Sequence, residues 1–73
     1  MQLTLLISSL SQLQRWIEVR KQEGYVSAHC YLAASRKLQL EVEEYLHEIG
    51  YRTIFMFGQR LSSGFATGAY ILW

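Results

Sequence analysis

Residues 25–34, YVSAHCYLAA, decide the fold of this chain because they fit two kinds of secondary structure. As a strand, they place four side chains on one face: Val26, Ala28, Cys30 and Leu32. As a helix, they start a stripe with steps of three and four residues: Ala28, Tyr31, Ser35, Leu38, Val42, Tyr45 and Ile49. We favour the helix, because no helix breaker interrupts this stripe before Gly50.

The helical interpretation predicts an α+β domain in which two helices pack on a small antiparallel sheet that ends in a C-terminal β-hairpin. The strand interpretation has support from a repeated spacing. Ser9 precedes Gly24 by the same distance as Ser35 precedes Gly50, and a tyrosine follows each glycine. Serine commonly caps the start of a helix and glycine its end. The alternative fold is therefore a β-α-β-α-β-β two-layer sandwich.

The N-terminal part predicts a short extended segment followed by a helix. Ser9 and Gln12 have the spacing of a capping box, in which the serine oxygen accepts a backbone N–H and the glutamine reaches back. The helix then runs to about Glu23 and ends at Gly24. The residues before Ser9 remain as a strand or an extended arm.

The C-terminal part predicts a hairpin of residues 51–61 and 65–73, because Ser63-Gly64 is a turn dipeptide between two β-rich segments. We expect Ser62 to lie opposite Phe65, which places Phe57 opposite Tyr70. One face then carries Tyr51, Phe55, Phe57, Leu61, Tyr70 and Leu72. The other carries Ile54, Met56, Phe65, Ile71 and Trp73, with Arg52 and Arg60 between them.

Both faces of this hairpin are apolar, and two helices cover only one of them. The other face is either covered by the N-terminal segment or exposed as an interface. We favour the interface, with a second copy or a host protein as the partner. The expected partner-binding residues are Arg52, Ile54, Met56, Arg60, Phe65, Ile71 and Trp73.

Composition limits the other function classes. A single domain of 73 residues with one cysteine has no intrachain disulfide and a small core, so self-association is the expected support. The spacing of His29, Cys30 and His47 matches neither a zinc site nor a thiolate–imidazole pair, so we expect no cofactor, no metal, no small-molecule substrate and no catalysis. Three glutamates on one helical stripe form a secondary acidic surface that suits a basic partner: Glu41, Glu44 and Glu48.

The predicted function is that of a small accessory or inhibitory protein-binding module, such as those encoded by phages and mobile elements, and we expect it to form a homodimer. The alternative is a single-stranded nucleic-acid-binding protein that uses Arg52, Arg60, Phe65 and Trp73. The net charge of +1 favours the first class. The N-terminal apolar segment is short and has no basic residues before it, so we expect a cytoplasmic protein without membrane contact.

Overall fold

The computed structural model describes residues 5–61 and 64–73. In chain order, the elements are β1 (Leu6–Ile7), α1 (Leu10–Gln22), β2 (Ser27–Ala33), α2 (Arg36–Glu48), β3 (Arg52–Leu61) and β4 (Gly64–Leu72). The two helices pack on a four-stranded sheet, and the chain ends in a strand pair, so the predicted α+β class is confirmed. Ser63, the first residue of the predicted Ser63-Gly64 turn, lies outside the described residues, as does Ser62.

The two helices begin and end with the same local chemistry. Ser9 and Ser35 each accept, through Oγ, a hydrogen bond of 3.3 Å from the backbone N–H three residues later. Gly24 and Gly50 follow the helices with φ of +87° and +77°, in the left-handed region that glycine adopts without a steric penalty. The repeated serine and glycine spacing therefore marks two equivalent strand–helix units.

The prediction of a helix over residues 25–34 is wrong, because most of this segment forms β2. Ala28, Cys30 and Leu32 alternate along the strand, and all three are buried. Ser35 caps α2 and thereby divides the apparent helical stripe into a strand and a shorter helix. The order of elements is the β-α-β-α-β-β order of the alternative fold.

The sheet has the strand order β1-β2-β4-β3. We expected an antiparallel sheet, but the sheet is mixed. The α1 crossover returns β2 parallel to β1. β4 pairs antiparallel with both β2 and β3 and is therefore a central strand. The outer strand on that side is β3.

The predicted hairpin register is also wrong. Tyr70 lies opposite Ile54, not opposite Phe57, a shift of three positions. A β-bulge between Met56 and Gln59 contains Gly58, which has φ of +69°. Because a shift by an odd number of residues exchanges the two faces of a strand, β4 presents the opposite side chains to those expected.

The helices cover one face of the sheet and enclose the core. Its buried residues come from both helices and from β1, β2 and β4: Ile7, Leu13, Ile17, Cys30, Leu32, Leu38, Val42, Leu46, Ala69 and Ile71. β1 extends the sheet beside β2, at Tyr31 and Leu32, and does not fold over the other face. Among the described residues, the sheet surface opposite the helices therefore has no layer on it.

Candidate functional site: the open face of the sheet

We call the surface opposite the helices the open face. The register places these side chains on it: Leu6 of β1, His29 and Tyr31 of β2, Tyr70 of β4, and Ile54 and Met56 of β3. Ile54 is 59% exposed, Tyr70 is 40% exposed and Met56 is 39% exposed. Large apolar side chains from neighbouring strands thus form one continuous exposed surface.

Aromatic rings occupy the centre of the open face. The ring centroid of His29 lies 5.1 Å from that of Tyr31 and 6.1 Å from that of Tyr70. Gly68 lies between Met56 and Tyr31, and a Cβ added there would be 3.1 Å from Met56 Cε. Met56 thus packs directly over the β4 backbone, which keeps this part of the face shallow.

The open face carries no side-chain carboxylate. The six acidic residues of the chain all lie on the helices or directly after α1: Glu18, Glu23, Glu41, Glu43, Glu44 and Glu48. The charged residues of the strands are Arg52 and Arg60. The excess of acidic residues is confined to α2, because α1 carries more basic than acidic side chains, and the sheet side is neutral to basic.

The structure separates the partner-binding residues that the sequence predicted. Arg52, Ile54 and Met56 share the open face, through strand alternation. Arg60 and Phe65 lie opposite each other near the end of the hairpin, where Phe65 is exposed, but alternation along β4 places them on the side of Ile71 and not on the open face.

Ile71 and Trp73 do not belong to the open face either. Ile71 is fully buried under the helices, because the bulge reverses the faces of β4. Trp73 packs against the core on the same side. In their place, the face contains Tyr70 together with His29 and Tyr31, which the strand interpretation of residues 25–34 would have placed away from buried Ala28 and Cys30.

Trp73 instead connects one end of the sheet to α1 through contacts with neighbouring residues. Its Nε1 donates a hydrogen bond of 3.1 Å to the carbonyl oxygen of Tyr25, and its ring lies 5.9 Å from that of Tyr51. Lys21 Nζ donates a hydrogen bond to the Tyr51 hydroxyl and lies 4.7 Å from the centre of that ring. This hydrogen bond raises the pKa of Lys21 above its usual value. These contacts stabilise the fold and give Trp73 a structural role.

A groove runs between α2 and β3, and we call it the β3 groove. Its cavity has a volume of about 210 Å³ and is lined by Glu43, Leu46, His47, Tyr51, Thr53 and Phe55. The Oγ1 of Thr53 is buried and has no hydrogen-bond partner among the described residues. Beside this groove, α2 carries the predicted acidic surface, of which Glu44 and Glu48 are exposed and Glu41 is half-buried.

The sulfur and imidazole groups do not converge. Cys30 is buried in β2, and burial raises the pKa of its thiol from 9.0 to about 12, so the thiol stays protonated at neutral pH. His29, its neighbour, points to the open face. Residues 5–61 and 64–73 contain no group of three or more metal-ligating side chains. No helix within these ranges is long and apolar enough to cross a membrane.

Comparison of the chain with protein-family models, with curated proteins and with solved structures gave no match.

Proposed function

We propose that this chain is a protein-binding module that associates with a second copy of itself through the open face. The observation that supports this proposal is the continuous exposed apolar surface of Ile54, Met56 and Tyr70 on neighbouring strands. Exposed apolar surfaces of this kind on small proteins are commonly interaction sites. The absence of side-chain carboxylates from the face keeps the desolvation cost of its burial low.

The size of the open face predicts a weak dimer. Strand spacings of about 4.8 Å and rises of about 3.3 Å per residue give a footprint of roughly 500 Å². Two copies then bury on the order of 1,000 Å², which is near the lower limit for a specific interface. We expect a concentration-dependent equilibrium between monomer and dimer, with dissociation in the micromolar range or weaker.

Sedimentation equilibrium over a series of protein concentrations tests this proposal. Met56→Glu is the interface variant, and Val19→Glu is its matched control, because Val19 on α1 has nearly the same exposure, 38% against 39%. We expect the mass of the wild-type protein and of the control to rise towards that of a dimer, while Met56→Glu stays monomeric. Circular dichroism verifies that each variant is folded.

Ile54→Glu gives an independent second variant, since more than half of Ile54 is exposed and its replacement has little effect on the core. A wild-type protein that remains monomeric up to millimolar concentration contradicts the proposal. Self-association that both glutamate substitutions leave unchanged contradicts it equally.

The aromatic centre of the open face supports a second candidate function, the binding of single-stranded nucleic acid. His29, Tyr31 and Tyr70 lie on the two central strands, and bases stack on such exposed rings. Arg52 on the same face supplies a positive charge for phosphate. Anisotropy of labelled oligothymidine and oligouridine at low salt tests this function.

Stacking on an aromatic residue contributes about 1–3 kcal/mol per base, so Tyr31→Ala and Tyr70→Ala are expected to weaken oligonucleotide binding at least fivefold, or about 1 kcal/mol. Tyr25→Ala, which changes an exposed tyrosine outside the open face, is the control. Absence of binding, or equal losses in all three variants, excludes this candidate.

A further inference from the structure

A second surface lies at the free edge of β3. This strand pairs with β4 on one side only and is the outermost strand of the sheet. In an edge strand, every second residue directs its N–H and C=O away from the sheet. Residues 52–56, which precede the bulge, therefore offer about five unpaired backbone groups in a regular row.

The β3 edge lacks the usual protection against strand pairing. Proteins commonly protect such edges with proline, lysine, bulges or very short strands. The strand at the opposite edge, β1, has only two residues. In contrast, β3 has ten residues, contains neither proline nor lysine, and has its bulge beyond residue 56. One more strand therefore has access to residues 52–56.

The β3 groove lies along this edge and accepts side chains of an added strand. Alternate side chains of such a strand point towards the helices, where the groove is lined by Leu46 and Phe55. The cavity of about 210 Å³ is smaller than the ~300 Å³ or more of typical small-molecule sites. It suits one apolar side chain. The bound backbone also offers partners to the hydroxyl of Thr53 after a rotation about its Cα–Cβ bond.

Charge determines the kind of strand that fits. Glu43 lines the groove, and α2 also carries Glu41, Glu44 and Glu48. A basic side chain next to the apolar one is therefore favourable at Glu43. A second copy of β3 fits less well, because a symmetric pair brings two α2 helices, each with its row of glutamates, to the same seam.

We propose that the β3 edge binds an extended segment of a partner protein by strand addition, with an apolar side chain in the β3 groove and a lysine or arginine at Glu43. Main-chain hydrogen bonds supply the affinity in this binding mode, and the groove supplies the specificity. The site is separate from the open face and does not depend on self-association.

Three synthetic peptides test the proposal by fluorescence anisotropy. The probe is Thr-Lys-Val-Ile-Val-Lys-Thr, in which isoleucine and both lysines share one side of an extended chain. The second peptide has the same side chains but N-methyl groups on alternate backbone nitrogens, and the third has glutamate in place of lysine. We expect the second and third to bind at least about tenfold more weakly, because each lacks one element of the binding mode.

Variants of the protein locate the site. Glu43→Lys is expected to weaken binding of the lysine peptide about fivefold or more, as loss of a charge-assisted contact implies. Glu23→Lys makes the same charge change after α1, away from the groove, and is expected to bind as the wild type does. In amide NMR spectra, shifts caused by the probe are expected along residues 52–56 and at Glu43 to His47.

Equal affinity for the N-methylated peptide overturns the proposal, and so does unchanged affinity in Glu43→Lys or an absence of binding at millimolar peptide. Tyr70→Lys separates this site from the open face, because Tyr70 is on the central strand. We expect this variant to be monomeric and to bind the probe normally. If this variant still dimerises and the probe dissociates the dimer, a second copy occupies the edge and strand addition by a partner is excluded.

Discussion

Two isoleucines on adjoining strands provide a direct test of the sheet register. Ile71 is fully buried under the helices, whereas Ile54 is 59% exposed on the open face. Replacement of a fully buried isoleucine by alanine costs about 3–4 kcal/mol, since it removes buried methyl groups and leaves a cavity. For Ile54→Ala, the partial burial implies a loss of about 1 kcal/mol.

The difference between the two losses is large compared with the free energy of unfolding expected for a chain of this length, about 4–11 kcal/mol. At about 1 kcal/mol per molar urea, Ile71→Ala lowers the unfolding midpoint by about 3 M and Ile54→Ala by about 1 M. The corresponding falls in Tm are about 20 °C and about 5 °C. Measurement at low micromolar protein limits any contribution from dimer dissociation.

Equal destabilisation by the two substitutions would refute the register, because residues of equal burial lose similar amounts. Small losses in both variants would indicate that β4 presents the faces expected without a bulge, with Ile71 beside Ile54 on the open face. Val42→Ala provides a reference, since Val42 is fully buried on α2 whatever the hairpin register.

Three further predictions concern local features. Because the folded Cys30 thiol has its pKa raised to about 12, the unfolded chain loses this proton first as pH rises above 9.0, and stability falls. The free energy of unfolding falls by about 1.4 kcal/mol between about pH 8 and pH 10 because of this proton. In Cys30→Ala, the urea midpoint should not show this part of the pH dependence. Gly58→Ala should cost about 1–2 kcal/mol because its φ is +69°, and Gly58→Asn less, as urea titration would show; equal losses contradict a backbone cause. Ser35→Ala should cost about 1 kcal/mol and Ser35→Asp almost nothing, and equal thermal stability of both would contradict the capping role.

Local chemistry made a large part of this fold predictable. Helix ends depend on the conformation of one or two residues, so Ser9 and Gly24 indicated α1 correctly. The same pattern at Ser35 and Gly50 identified α2, although the apolar stripe had suggested a longer helix. The stripe was misleading because small and aromatic residues such as Ala28 and Tyr31 satisfy helical and strand periods equally well. Pairing with β4, far along the chain, determines the result.

The site was harder to predict, because side-chain direction in a hairpin depends on every residue between the turn and the position considered. The extra residue at the bulge moved Ile71 into the core and Tyr70 to the surface. Ile54 and Met56 were assigned to the exposed face correctly, since their positions depend only on alternation within β3. His29 and Tyr31 were missed together with β2.

The central position of β4 has a consequence for synthesis on the ribosome. The segments before it include β2 and β3, which have no direct pairing with each other in the finished sheet. Until β4 has left the exit tunnel, the nascent chain holds two separated apolar strands whose neighbour is missing. Folding is then concerted and late, and a chaperone or another nascent chain competes for these strands during that interval.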